Sequence, residues 1–380
     1  MEESLINKKI HLVILGQDAS ILDESSESAQ RTSIYAQSFS AINVYVFAKK
    51  VPKKESKYNN VSVFGSSTIL ESLFTFIRIY KDIQGLKKGG TVLISTQDPF
   101  ELGLVGLLLS RITRALLHVQ VHTDISSQYM QKESVRARVQ IFIARLVLKR
   151  ANRIRVVSRR IKEFCINLFK VCGEKIDCVS MVYGDLHKNV DNLTDIKPEK
   201  KIFLVPTRFV SLKRVPYIVD AFTLALKQDD STQLCIVGSG PNEKEIIKAI
   251  KENNISHKVV IIPWVSDMSS LYKNAYAVLV ASLYEGWCRV ASESVMHHVP
   301  VIMTDVGCAN EWLEDRKQGI IVPVEDKNAF VSAIVDIVNK EGLHDALVSG
   351  CIAKSQTIPS FGSYAKQVVM SWTKTISQIK

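Results

Sequence analysis

Two glutamates eight residues apart, Glu285 and Glu293, bracket the segment Ser282-Leu283-Tyr284-Glu285-Gly286-Trp287-Cys288-Arg289-Val290-Ala291-Ser292-Glu293. It reads as a strand-to-helix turn, with an apolar strand over 277–281 before it and a helix expected over 287–297. With Glu285 in the turn and Glu293 two turns into the helix, both carboxylates can face one ligand at the strand's carboxyl end. The backbone N–H groups of residues 287–290, uncommitted at a helix start, would lie between them as an anion site. Gly286 allows close backbone approach there. An ordinary helix start with two solvated acids satisfies the same spacing.

Arg208 and Lys213 follow another expected strand, 201–206, at the end where α/β folds hold ligands. Gly238-Ser239-Gly240-Pro241 precedes a helix, but the dinucleotide fingerprint fails because Glu243 stands where its third glycine belongs. In the first half, His118 and His122 share one face of an expected strand. His122, nearer the carboxyl end and beside Asp124, is the candidate for a ligand-facing role; Asp98, at another strand end, ranks below it. Ser158 fits a helix N-cap. No metal site is expected. His297 and His298 are adjacent, and neighbours on a helix diverge by about 100°. The seven cysteines are odd in number, lack a CxxC pair and have no histidine at ligand spacing, so reduced thiols are expected.

These residues need a frame. In 380 residues, 46% are hydrophobic and 23% charged, which excludes disordered, collagenous and small disulfide-bonded classes and suits two domains. No apolar run approaches the roughly 20 residues of a spanning helix, and the acidic start Met1-Glu2-Glu3-Ser4 is unlike a signal peptide, so a cytoplasmic protein is expected. Strands are read at 9–15, 42–48, 62–64, 91–95, 118–122, 153–157 and 178–182, then at 201–206, 233–237, 258–262, 277–281, 299–304 and 319–322. Helices fall between them, near 25–38, 67–83, 101–112, 132–150 and 159–170, then 214–227, 242–252, 267–274, 287–297, 309–314, 326–338 and 342–354. That alternation is parallel α/β architecture. It gives two Rossmann-like domains, 1–185 and 201–360, facing each other across a cleft and joined by a polar linker at 186–200. A final helix over 361–380 carries an apolar stripe at 364, 368, 369, 372, 376 and 379 that must pack somewhere.

The order of these motifs resembles the retaining GT-B glycosyltransferases of family 4, glycosyl transferases group 1. The likeness is specific over 200–335: the Arg208–Lys213 pair, the Val237-Gly238-Ser239-Gly240-Pro241 loop, Glu285 and Glu293 within the Leu283-Tyr284-Glu285-Gly286 context, the strand Val299–Gly307, and Gly319-Ile320-Ile321-Val322-Pro323. It is looser in the first half, where a usual glycine-rich loop is reduced to Gly16. The resemblance implies a GT-B fold with the last helix crossing back to the first domain. It also implies sugar transfer with retention from a UDP- or GDP-linked donor, without a cofactor or metal, to a glycan or lipid-linked acceptor in surface polysaccharide or glycolipid assembly. Arg208 and Lys213 would bind the diphosphate, Glu293 the ribose and Glu285 the sugar hydroxyls. Gly16 and Gly238 would flank the nucleotide sugar, the Gly286, Trp287, Cys288, Arg289 and Val290 backbone would offer N–H groups, and His122 would line the reacting face. Arg289 replaces a commonly apolar residue, so its charge either joins the phosphate site or points outward. A sugar-nucleotide epimerase on the same fold and a non-catalytic nucleotide-sugar or nucleic-acid binder are the alternatives.

The formal charge is +11, and eleven cations against the single acid Glu133 lie in residues 132–162. Without interleaved aromatics other than Phe142, and without a recognisable binding motif, nucleic acid is disfavoured. The stripe is expected to hold the first domain peripherally on an anionic membrane by charge.

Overall fold

The computed structural model of the protein describes residues 9–184, 200–227, 229–265 and 267–377. The linker expected at 186–200 therefore lies outside the described residues except for Lys200, as does Ile379 of the terminal stripe. The chain forms two compact units: residues up to Ser180 together with those from Gly362 onward, and Met181–Phe361.

The first unit is built on an eight-stranded sheet of order β3-β4-β2-β1-β5-β6-β7-β8. Its strands are β1 (Ile10–Gly16), β2 (Ala41–Phe47), β3 (Glu55–Tyr58), β4 (Val61–Ser66), β5 (Thr91–Thr96), β6 (Leu116–Val121), β7 (Arg153–Val156) and β8 (Ile176–Cys178). Every pairing is parallel except β3 with β4. Its helices are α1 (Glu27–Ala36), α2 (Ile69–Lys87), α3 (Glu101–Thr113), α4 (Gln128–Glu133), α5 (Val135–Arg150) and α6 (Arg159–Asn167). Strands such as β1, Ile-His-Leu-Val-Ile-Leu-Gly, read as near-continuous apolar runs because helices cover both faces of a parallel sheet. The strand β3, Glu-Ser-Lys-Tyr, has no such run and was not foreseen. It is an edge strand returned by a tight turn in which Asn59 takes φ 51°.

The second unit holds a six-stranded, wholly parallel sheet of order β11-β10-β9-β12-β13-β14. These strands are β9 (Lys201–Pro206), β10 (Thr232–Val237), β11 (Val259–Ile262), β12 (Ala275–Val280), β13 (Val301–Thr304) and β14 (Gly319–Val322). Between them run α7 (Val215–Leu226), α8 (Glu243–Glu252), α9 (Ser269–Lys273), α10 (Arg289–Met296), α11 (Lys327–Asn339) and α12 (Leu343–Ser355). Phe203, Phe222, Ile236, Leu279, Ile302 and Phe330 are among the buried side chains of its core. The expected helix at 309–314 does not form. The carbonyl of Cys308 instead accepts from Glu311, Trp312 and Leu313 N–H, and Asn310 takes φ 57°, which closes a compact turn.

The last helix, α13 (Phe361–Ile376), returns to the first unit. Tyr364, Val368, Trp372 and Ile376 of the expected stripe are buried. Trp372 packs edge-on against Tyr35, Phe39 and His118 at 5.3, 5.8 and 6.2 Å and donates from Nε1 to Ser95 Oγ at 2.9 Å. Beneath the helix, Asp177 accepts from Arg153 (2.5 and 2.8 Å) and Ser371 (2.7 Å). Arg155 donates to Gln120 Oε1 at 2.7 Å and Tyr364 OH at 2.8 Å. Two members of the basic stripe are thus interior. Arg153 and Arg155 lie on β7, where burial demands partners, and they do not belong to a solvated face.

Candidate active site

In the second unit β9, β10 and β11 step one way along the sheet while β12, β13 and β14 step the other. The carboxyl ends of β9 and β12 therefore flank a topological switch point, where loops diverge and leave room for a ligand. Arg208 and Lys213 follow β9, Gly238 follows β10, and Glu285 to Val290 follow β12. The structure brings this set to one edge.

The β9 and β12 loops are tied by the Leu283 N–H to the Leu212 carbonyl at 2.9 Å. That bond sets Lys213 against Glu285: the ammonium donates to Glu285 Oε1, which also accepts from Ser282 Oγ at 2.7 Å. Both charged side chains are 15% exposed. Arg208 is exposed and forms no ion pair among the described residues. It is carried by a loop laced to the next strand, with Thr207 N–H on Val237 O and Phe209 N–H on Ser239 O, both at 2.9 Å. Gly238 takes φ 152°, and a Cβ there would fall 1.9 Å from the Thr207 carbonyl. Only glycine fits that crossing.

Trp287 and Cys288 precede α10, which starts two residues later than expected, so Glu293 lies one turn into the helix. Cys288 holds the N-cap with φ 73° and gives no side-chain cap, while its carbonyl accepts from the Ala291 N–H at 3.2 Å. Gly286 is buried beside it. Both oxygens of Glu293 are engaged: Oε1 with Arg289 at 3.0 Å and Oε2 by the Tyr272 hydroxyl at 3.2 Å. Arg289 thus pairs with Glu293 while its side chain stays 36% exposed. Burial pushes the Cys288 thiol up to about 12 and holds that of Cys308 well above its usual range, so neither is a nucleophile at neutral pH. His297 stacks on Tyr272 at 5.0 Å, and His298, at φ 62°, meets Ser355 Oγ at 3.1 Å.

Gly16 and His122 belong to the first unit. Gly16 ends β1 and makes room for the Gln97 side chain, which a Cβ would meet at 2.4 Å. His122 follows β6 and lies 3.2 Å from Gln120 Oε1 through Nε2; because that oxygen also accepts from Arg155, Nε2 carries the proton. Burial, then the Arg155 charge, lower its pKa to about 3, so the imidazole is neutral. His118 is fully buried under α13, with Ser95 and Ser371 as partners. Asp98 and Asp124 accept from backbone N–H groups two residues on (Phe100 at 2.8 Å, Ser126 at 3.0 Å) and shape turns. Ser158 stands at the N-cap of α6, but its buried hydroxyl makes no cap bond.

Residues 188–350 match the family described as Glycosyl transferases group 1. The second unit is a glycosyl transferases group 1 domain. A Campylobacter jejuni protein named as an N-acetylgalactosaminyltransferase acting on a diphospho-undecaprenol-linked sugar is 24% identical over 257 residues, 67% of this chain and 69% of that protein. The chain spans 57%, 33% and 22% of the length of three other curated relatives. Two solved structures share the fold over 97% of the chain. One is a Thermosynechococcus elongatus sucrose-phosphate synthase (TM-score 0.75, 19% identity, 99% of that chain). The other is Anabaena HepE with UDP-glucose (TM-score 0.72, 15% identity, 100% of that chain). The whole chain has the two-domain fold of GT-B glycosyltransferases.

Within the group 1 domain, three residues support the site without having been foreseen. Ser282 fixes Glu285 and is itself held by Thr304 Oγ1, which donates to the Ser282 carbonyl at 2.7 Å. Tyr272 fixes Glu293. Gly307, at φ 57°, lets the loop after β13 pack on the Glu285 turn: a Cβ would sit 2.5 Å from the Trp287 carbonyl. Its glycine and strand were legible in sequence, but the contact was not.

Proposed function

We propose that the protein is a retaining glycosyltransferase that moves a sugar from a UDP- or GDP-linked donor to a glycan or lipid-linked acceptor, without a metal. The observation that carries this reading is the Lys213–Glu285 pair at the switch point, beside the uncapped start of α10 with Glu293 one turn in. Breaking the glycosyl phosphate bond leaves negative charge on the nucleoside diphosphate. Lys213, Arg208 and the α10 N–H dipoles are positive groups at this edge that would lower the barrier to that charge, as a metal does elsewhere. Glu285 accepts from sugar hydroxyls and Glu293 from the ribose. The UDP-glucose held by the Anabaena structure and the lipid-diphosphate substrate named for the Campylobacter relative support the donor and acceptor classes.

Thermal shift against a panel of nucleotide sugars in the presence of EDTA tests the reading. A UDP- or GDP-linked sugar should raise the melting temperature by several degrees, with products formed when an acceptor is supplied. Binding lost in EDTA and restored by magnesium would overturn metal independence. No response to any nucleotide sugar would overturn the donor assignment.

A further inference from the structure

We propose that the outer face of α2, α3 and α5 is a docking surface for an anionic lipid bilayer. α3 packs against both α2 and α5. All three cross the sheet in the same direction, from β4 to β5, β5 to β6 and β6 to β7, so right-handed connections place them in one layer. Each helix then turns an apolar row to solvent at i, i+4, i+7 or i+8 spacing: Leu73, Ile77 and Tyr80 on α2, Leu104, Leu108 and Ile112 on α3, and Val135, Val139 and Phe142 on α5. Phe74 adds to the first row. Phe74, Leu108 and Phe142 are 61%, 52% and 70% exposed. Single exposed apolar residues need no explanation, but three neighbouring rows form a patch of the kind that marks an interaction site.

Charge selects the occupant. The α5 sequence holds five cations and no acid, and Arg138, Arg145 and Lys149 follow the same side of the helix as Phe142. The acids nearby are already engaged: Glu101 by Arg136 and Gln140, Glu71 by Lys54 and Ser67, Asp82 by Tyr45. A second copy seated with its α5 on this α5 would bring cations against cations. An anionic bilayer instead offers phosphates to the cations and acyl chains to the rows, while long basic side chains extend around the inserted rings. No helix among the described residues is long and apolar enough to cross a membrane, so the contact lies in the interface plane. Charge alone, as read from the stripe at 132–162, would give attachment that salt abolishes; the rows add a part that salt spares. The proposal uses no residue of the second unit and stands or falls apart from the donor reading.

Co-sedimentation of the full chain with vesicles of phosphatidylcholine, alone or mixed with phosphatidylglycerol, tests it. Binding to the anionic vesicles should exceed binding to neutral ones by about tenfold. It should weaken with rising salt, which screens exposed charges within about 8–10 Å near physiological strength, without vanishing. The triple variant Phe74→Gln, Leu108→Gln, Phe142→Gln keeps helix propensity. It should lose about tenfold in vesicle binding while its melting temperature and response to nucleotide sugar stay as in the parent. Failure of the parent to sediment with anionic vesicles at low salt, or unchanged sedimentation of the triple variant, overturns the proposal. A parent dimer that the triple variant converts to monomer would assign the face to a second copy and overturn it as well.

Discussion

The Lys213–Glu285 pair is the residue-scale feature with the clearest consequence. Two charges this sheltered gain little by themselves, because their desolvation offsets much of their attraction. A site that must meet a diphosphate explains their retention: Glu285 holds the ammonium in place until a stronger anion arrives. Glu285→Gln and Glu293→Gln keep shape and remove charge. Each is expected to cut activity at least about tenfold, Glu285→Gln mainly in kcat and Glu293→Gln mainly in the donor KM, with melting temperatures within a few degrees of the parent. Steady-state kinetics beside thermal melts checks this, and near-parental turnover with near-parental donor affinity in both variants would show the assignment wrong. That Glu285, Glu293, Arg208 and Lys213 come to one sheet edge was legible because it follows from residue type, spacing and a family resemblance along one stretch of chain. Tyr272 and Ser282 were not, since an ordinary tyrosine 21 residues before Glu293 and a serine near a turn gain meaning only when the fold closes. Arg289 was open between joining the phosphate site and pointing outward, and its 3.0 Å contact with Glu293 was in neither reading.

Among the elements, α13 shows what a periodic stripe discloses. Its apolar spacing says that one face is buried, and the crossing to the first unit came from the resemblance; the polar partners waiting there were written in neither. Ser95, His118 and Gln120 stand on adjacent strands, and the helix brings Trp372, Ser371 and Tyr364 to the network they share with Arg155 and Asp177. Trp372→Ala removes the ring, leaves a cavity and strips Ser95 of a donor, so a loss of about 3–5 kcal/mol is expected by urea denaturation. His118 adds a pH dependence. Its folded pKa is lowered to about 3, by burial first and then by Arg155, while the unfolded value is near 6.5. The unfolded chain therefore binds the proton more readily, and stability falls as pH drops from about 6.5 toward 3, by up to about 1.4 kcal/mol per pH unit for this group. His118→Asn should flatten that slope in urea titrations between pH 6 and 4, whereas a slope equal to the parent's would remove His118 from the account. The missed strand β3 and the absent helix at 309–314 share a cause: both are decided by turns at asparagines with positive φ, Asn59 and Asn310, and not by apolar period.

On the scale of the whole molecule, the chain has two units, each with its own sheet, and the named donor-site residues other than Gly16 and His122 all fall within Met181–Phe361. The alternation of strands and helices made two Rossmann-like halves legible, because each half repeats the same strand–helix grammar and buries its own apolar runs. Separate cores also mean that unfolding need not be a single cooperative event. A ligand stabilises only the structure that binds it, by about 2.7 kcal/mol at a hundredfold excess over Kd. Scanning calorimetry with a nucleoside diphosphate should therefore resolve two components and move chiefly the one belonging to the second unit. Hydrogen exchange assigns them: added nucleotide should slow exchange at 207–214, 237–241 and 282–293 and leave β6 and the Trp372 turn of α13 as they were. Equal protection of both units, or a single transition that shifts as a whole, would show that the two cores melt as one and that the donor site draws its stability from both.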